Sequence, residues 1–139
     1  MDKQKYLKEY FNDLRNIINF DNEKIQDLIS VSEILLNAHN NGKKTLIFGN
    51  GGSAAIASHF SVDITKNARV RCVNYNESDL LTCFSNDFGY EKWVEKCIEF
   101  YGEEEDEAIF ISTGRNSQNM LNKKKKKKKK KFSKIITFT

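Results

Sequence analysis

Apolar positions along the chain change period several times, and each change marks an element. Leu7, Tyr10, Phe11, Leu14, Ile17 and Ile18 recur at helical spacing and predict an amphipathic helix over residues 1 to about 20. Asp21 or Asn22 then reads as a cap. A second helix carries Ile25, Leu28, Ile29, Ser32, Leu35 and Ala38 and stops at Asn40-Asn41-Gly42. The pattern next shortens to a buried run, Thr45 to Phe48, that ends abruptly at Gly49-Asn50-Gly51-Gly52-Ser53. A small-residue helix follows to about Lys66 or Asn67. Val70 to Val73 predicts a short strand, and Leu80 to Phe84 a short helical or extended segment broken by Ser85-Asn86-Asp87-Phe88-Gly89.

Tyr90 to Tyr101 returns to helical spacing through Trp93, Val94, Cys97 and Ile98, and Gly102 to Asp106 reads as an acidic turn. Ala108 to Ile111 predicts a third strand, the polar turn Ser112 to Ser117 opens another helix, and Ile135 to Phe138 predicts a fourth strand. Short apolar strands alternating with helices specify an α/β domain, a three-layer open parallel sheet with helices on both faces and two helices ahead of it.

Two polar turns then stand out, each at the C-terminal end of a strand and each opening a helix. That edge is where open α/β sheets bind ligands. Glycines let backbone approach a ligand closely, and free N–H groups at a helix start favour an anion. Ser53 is placed to cap the helix or to donate to a bound oxygen. A bare strand-to-helix turn remains the plain alternative. Gly49, Gly51 and Ala54 also fit the dinucleotide fingerprint, but no acidic residue ends the next strand, which closes on Val73-Asn74-Tyr75-Asn76. Around Ser112, three hydroxyls and an arginine favour a phosphate over simple capping. His59 and Asp63 are four apart, so a helix points both the same way.

Charge changes the picture once. The net charge is +4, yet Lys123 to Lys131 are nine consecutive lysines, and the remainder has 14 basic against 19 acidic residues. The globular part is acidic, which argues against a nucleic-acid-binding face; a polyanion would meet only the lysine run, non-specifically. That run has no apolar face and reads as a low-complexity segment. Three cysteines without C-x-x-C spacing read as free thiols in a reducing compartment. No stretch has the length of a membrane span or the apolar core of a signal peptide, so a cytoplasmic protein is expected.

FGNGGSAAIASHF, then SNDFGY, then ISTGRNS, in this order and spacing, resemble the sugar isomerase (SIS) family, and most closely its phosphoheptose isomerases; FSKIITFT extends the likeness. The resemblance implies a flavodoxin-like SIS fold over residues 1–139. It also implies a homotetramer, and conversion of sedoheptulose 7-phosphate to a heptose 7-phosphate by an aldose–ketose shift. It assigns Asn50, Gly51, Gly52, Ser53, Asn86, Asp87, Ser112, Thr113 and Ser117 to the phosphorylated sugar. Asp63 falls at the position of the base, and His59, with Asp63, at that of a zinc ligand.

Three departures accompany it. The family's base is typically glutamate, so the Asp63 carboxylate stands back by roughly 1 Å. The hydroxyl motif reads Ser-Thr-Gly-Arg-Asn-Ser, with Gly114 and Arg115 out of pattern. In the family a later helix bears a glutamine and a histidine that complete the metal site. The sequence ends at Thr139, so a domain incomplete at its C-terminus is expected. The alternative to an isomerase is a non-catalytic SIS module that senses a phosphosugar or binds a protein, or an inactive fragment.

Overall fold

A computed structural model describes residues 2–114, 117–121 and 132–139; the lysine run Lys123–Lys131 and Arg115 lie outside the described residues. Helix α1 (Lys3–Ile18) begins where the sequence places a carboxylate. Asp2 accepts the N–H groups of Gln4 at 3.0 Å and Lys5 at 3.2 Å. Asp21 does the same for α2 (Asn22–Asn40), accepting the Lys24 N–H at 2.9 Å. No side chain of α1 is buried, and Tyr6, Leu7, Tyr10, Phe11, Leu14, Ile17 and Ile18 are all exposed. The chain divides into two units, residues 1–33 and 34–139, the division falling inside α2.

In the second unit, α2 buries Leu35 and Ala38 and ends at Gly42, in the left-handed region at φ +75°. Gly42 donates to His39 O and Lys43 to Ala38 O, the two closing bonds of a Schellman cap. Four parallel strands follow: β1 (Thr45–Gly49), β2 (Cys72–Asn74), β3 (Glu107–Ile111) and β4 (Ile135–Phe138), in spatial order β2-β1-β3-β4. This is the predicted open parallel sheet. Every residue of β1 is buried, as a central strand covered on both faces requires.

Side chains alternate across the pleat. Leu46, Phe48, Ala108 and Phe110 share one face with Trp93, Val94 and Cys97 of α5 (Trp93–Tyr101) and Met120 of α6 (Gln118–Leu121). The Phe48 ring stacks on Phe110 at 5.6 Å and meets the edge of Trp93 at 6.0 Å. The β1-to-β2 connection, α3 (Gly52–Lys66), runs one way along the sheet and the β2-to-β3 connection the other. Right-handed crossovers therefore put them on opposite faces.

Two local expectations are corrected. The second strand pairs over Cys72–Asn74 rather than from Val70, because Arg69 takes a left-handed turn at φ +60° and delays the pairing. Ser85 to Phe88 do not break the pattern: α4 spans Ser78–Phe88 and stops at Gly89, φ +88°. Phe84 and Phe88 both pack on Phe100, at 5.6 and 6.3 Å, and that packing overrides the turn preference of Asn86 and Asp87.

Below the sheet, Asp106 is wholly buried. It accepts the Lys44 N–H at 3.1 Å and the Glu103 N–H at 2.8 Å, and pairs with Lys44 Nζ at 2.8 Å. Burial works to lower the Lys44 pKa, but its bonds to Asp106 and Glu103 outweigh that and raise it.

Candidate functional site

The two polar turns leave neighbouring strands at the same level. Gly49, the last residue of β1, is in register with Ile111, the last of β3. The chain reverses its winding direction between these strands, so the turns flank the crevice where an open sheet takes its ligand.

The first turn is set by its glycines. Gly51 has φ +55° and ψ −123°, a conformation closed to residues with a Cβ. The α3 ladder starts with Ser53 N–H donating to Asn50 O at 3.0 Å, and the N–H groups of Gly51 and Gly52 lie ahead of it. The capping role expected for Ser53 is corrected. The cap position is Gly51, with no side chain to offer, and Ser53 lies inside the first helical turn, buried. Its hydroxyl has no hydrogen-bond partner among the described residues.

Asn50 is tied across to the far turn. Its Nδ2 donates to Asn119 Oδ1 at 3.0 Å, and Asn119 Nδ2 donates back to Asn50 Oδ1 at 2.8 Å. Tyr90, in the 3₁₀ turn Tyr90–Lys92, adds a hydroxyl bond to Asn50 Oδ1 at 3.1 Å. Neither Asn119 nor Tyr90 was among the site residues anticipated from sequence. The available signal was a polar residue beside apolar Met120 on the short helix that follows Ser117.

In the second turn, Ser112 N–H donates to Phe138 O at 3.0 Å, anchoring the turn to β4. The Ser112 hydroxyl donates to Gly114 O at 2.8 Å, which leaves its oxygen as an acceptor. Thr113 is exposed, and Ser117 is half-buried with its carbonyl accepting the Met120 N–H. Asn86 and Asp87 lie exposed on α4, Asn86 Nδ2 donating to Asp87 Oδ1 at 3.0 Å. Asp87 also faces Cys83 Sγ at 3.7 Å, and its charge pushes that thiol's pKa up.

His59 and Asp63 do share a face of α3, His59 Nε2 standing 3.4 Å from Asp63 Oδ2 with side chains 80% and 51% exposed. Asp63 Oδ1 also accepts from Asn67 Nδ2 at 3.3 Å. Catalytic zinc takes three protein ligands. Among the described residues no group of three His, Cys, Asp or Glu side chains comes together to hold a metal. His59 and Asp63 by themselves are one ligand short of the zinc site that the resemblance implies.

The dinucleotide alternative fares poorly for a structural reason. Asn74 and Asn76 stand where a ribose-binding carboxylate would be needed. Asn74 Nδ2 donates from β2 to Ile47 O on β1 at 2.9 Å while its Oδ1 accepts from Ser58 Oγ on α3 at 3.1 Å. Asn76 Nδ2 donates to Ala54 O on α3 at 2.9 Å, so both amides are spent holding α3 against the end of β2.

The SIS domain family model matches residues 6–135 of the chain. The phosphoheptose isomerase of Fusobacterium nucleatum is 36% identical over 119 residues, covering 82% of this chain and 61% of that protein. That of Pectobacterium atrosepticum is 36% identical over 138 residues, covering 96% of this chain and 70% of that one. Among solved structures, the phosphoheptose isomerase of Neisseria gonorrhoeae superposes with a TM-score of 0.76 at 28% identity, covering 85% of this chain and 65% of the other. The chain thus covers between 52% and 70% of the length of the curated relatives it matches. No helix among the described residues is long and apolar enough to cross a membrane.

Proposed function

The chain belongs to the SIS domain family, and on that premise we propose that it binds a phosphorylated sugar at the paired turns and isomerises it between ketose and aldose. The observation that carries this reading is the reciprocal bond between Asn50 and Asn119, which holds the glycine-rich and hydroxyl-bearing turns at one edge. In the proposal the phosphate lies against the Gly51 and Gly52 N–H groups and the hydroxyls of Ser53, Thr113 and Ser117, and the Ser112 hydroxyl turns its proton from Gly114 O to the phosphate. Asn50, Asn86 and Asp87 are assigned to the sugar hydroxyls.

Asp63 is the base in this reading. Its carboxylate takes the proton from the hydroxyl-bearing carbon beside the carbonyl, giving an enediolate whose oxygen a hydrogen-bond donor steadies. The proton of the adjacent hydroxyl passes to that oxygen, and the proton held by Asp63 returns to the former carbonyl carbon. Ser53 and Asp63 are ten residues apart on α3, about 15 Å along its axis, and helical side chains lean back toward the N-terminus. That span suits a long sugar phosphate better than a triose. Sedoheptulose 7-phosphate is therefore the proposed substrate, a heptose 7-phosphate the product, and the cytoplasm the setting.

The apolar face of α1 supports a homo-oligomer, with a tetramer as the proposed state. Size-exclusion with light scattering checks it: a monodisperse assembly is expected, and a monomer would end this part of the proposal.

A second reading has its own support. His59 and Asp63 are more than half exposed, whereas proton abstraction is favoured in a site that excludes water. A phosphosugar-sensing module would show this exposure. Calorimetric titration with sedoheptulose 7-phosphate, paired with a turnover assay, separates the two. Binding with turnover that disappears in Asp63→Asn supports the isomerase. Binding without turnover selects the sensing module, and no binding removes both.

A further inference from the structure

We propose that Asn119 and Tyr90 are positioning residues that fix the Asn50 carboxamide in one orientation and so lock the two turns into a single preset frame. The inference rests on the reading of this edge as a phosphosugar site, and it concerns how that site is held ready.

A carboxamide offers two N–H donors and one oxygen with two lone pairs. In the Asn50–Asn119 pair each side chain gives one N–H and accepts one, at 3.0 and 2.8 Å. Alone, such a pair is degenerate: turning both amides over restores the same two bonds. Tyr90 removes the degeneracy, because its hydroxyl donates to Asn50 Oδ1 at 3.1 Å. In the reversed arrangement that hydroxyl would have to accept from the amide N–H and give its own proton to water, exchanging the bond to Asn50 Oδ1 for a solvent one.

The consequence is a defined polarity at the mouth of the site. Asn50 Oδ1 takes two donors, which fills its lone pairs, and one N–H goes to Asn119. What remains for a ligand is the second N–H, so Asn50 meets a sugar or phosphate oxygen as a donor. Burial makes the arrangement hard to leave. Asn119 is only 3% exposed, so its amide has no water to turn to if Asn50 moves away. Three segments distant in sequence meet at this point: the end of β1, the turn after α4, and α6. A shift of either ligand turn therefore has to carry the other or break a buried bond.

The test uses the whole chain and two substitutions. Tyr90 is half-exposed, so Tyr90→Phe removes the hydroxyl without opening the core. Sedoheptulose 7-phosphate titrated into this variant is expected to bind about three- to tenfold more weakly than to wild type. Asn119→Asp supplies the sharper readout. A protonated carboxyl presents one donor and one acceptor, as the amide does, while an ionised one has no donor for Asn50 Oδ1. The ratio of its dissociation constant to that of wild type is expected to lie near one in acid and to climb about tenfold or more as the introduced carboxyl ionises. A residue with a merely structural role would show no such rescue by protonation.

A ratio that stays flat with pH, or wild-type affinity in Tyr90→Phe, overturns the proposal. A ligand-free arm separates it from the functional reading. The side-chain amide protons of Asn119 are expected to exchange slowly by NMR in wild type and several-fold faster in Tyr90→Phe. Unprotected amides in wild type also overturn it. Protected amides that loosen in Tyr90→Phe, in a chain that binds no phosphosugar, leave the coupling standing and remove the substrate reading.

Discussion

A Cβ on Gly49 would lie 2.3 Å from the carbonyl oxygen of Ser53 and 2.8 Å from the Ala54 amide nitrogen. The first turn of α3 therefore rests directly on the end of β1, backbone against backbone, and neither side has a flexible group that could yield. Gly49→Ala is expected to destabilise the fold by more than about 2 kcal/mol, since the clash forces a backbone shift. Gly52→Ala is the control: nothing lies within 4 Å of its missing Cβ and its φ is ordinary. Its stability should stay within about 0.5 kcal/mol of wild type. Urea unfolding of the two variants checks the contrast, and similar losses in both would contradict the close approach.

Asp106 is the buried anchor below the sheet, with two backbone N–H groups and the Lys44 ammonium on its carboxylate. Asp106→Ala strands the Lys44 and Glu103 N–H groups and leaves the Lys44 ammonium, itself only 16% exposed, with the exposed Glu103 carboxylate alone at 3.0 Å. Breaking a buried pair from one side costs about 3–5 kcal/mol, enough to leave a small domain largely unfolded at moderate temperature. Circular dichroism melts should show it. A drop of only a few degrees would mean that water replaces the carboxylate.

Glu107, next in sequence, is buried, with Oε2 unpartnered among the described residues. Burial pushes its pKa up to about 7, against a smaller lowering influence from Lys134. A carboxyl whose folded pKa is raised is most favourable while protonated. Its contribution is full below the unfolded value of about 4.5 and declines as pH rises toward 7, after which it is gone. The span corresponds to a loss on the order of 3 kcal/mol between pH 4.5 and 7. Glu107→Gln should flatten this part of the stability–pH curve and raise stability at pH 8. An unchanged slope in the variant would show that other groups set it.

These two residues mark where the sequence stops being legible. Glu103-Glu104-Glu105-Asp106 reads as one solvated acidic turn, and nothing local says that Asp106 turns inward; that follows only from where β3 enters the sheet. Asn119 is hidden for a similar reason, since its partner Asn50 is 69 positions away. By contrast, the β1 run, the glycine turn and the Gly42 stop were readable because each depends on neighbours in sequence: an apolar run, a backbone needing glycine, a helix cap. The extension of α4 to Phe88 was missed because its cause is a ring on α5, Phe100, and local pattern carries no such information. The hydroxyl turn was readable in composition, but its link to the glycine turn was not.

His59 and Asp63 give the last prediction. They form an exposed pair at 3.4 Å, and pairs of this kind contribute between zero and about 1 kcal/mol. His59→Ala should therefore leave the unfolding midpoint nearly unchanged. Two donors on one helix face also fall short of the three that catalytic zinc requires, and the described residues bring no third. The chain, incubated with zinc and then dialysed against buffer, is expected to retain far less than one equivalent by elemental analysis. Retention of one full equivalent that His59→Ala abolishes would contradict this, because a third ligand would then have to reach α3 from a second copy or from beyond the described residues.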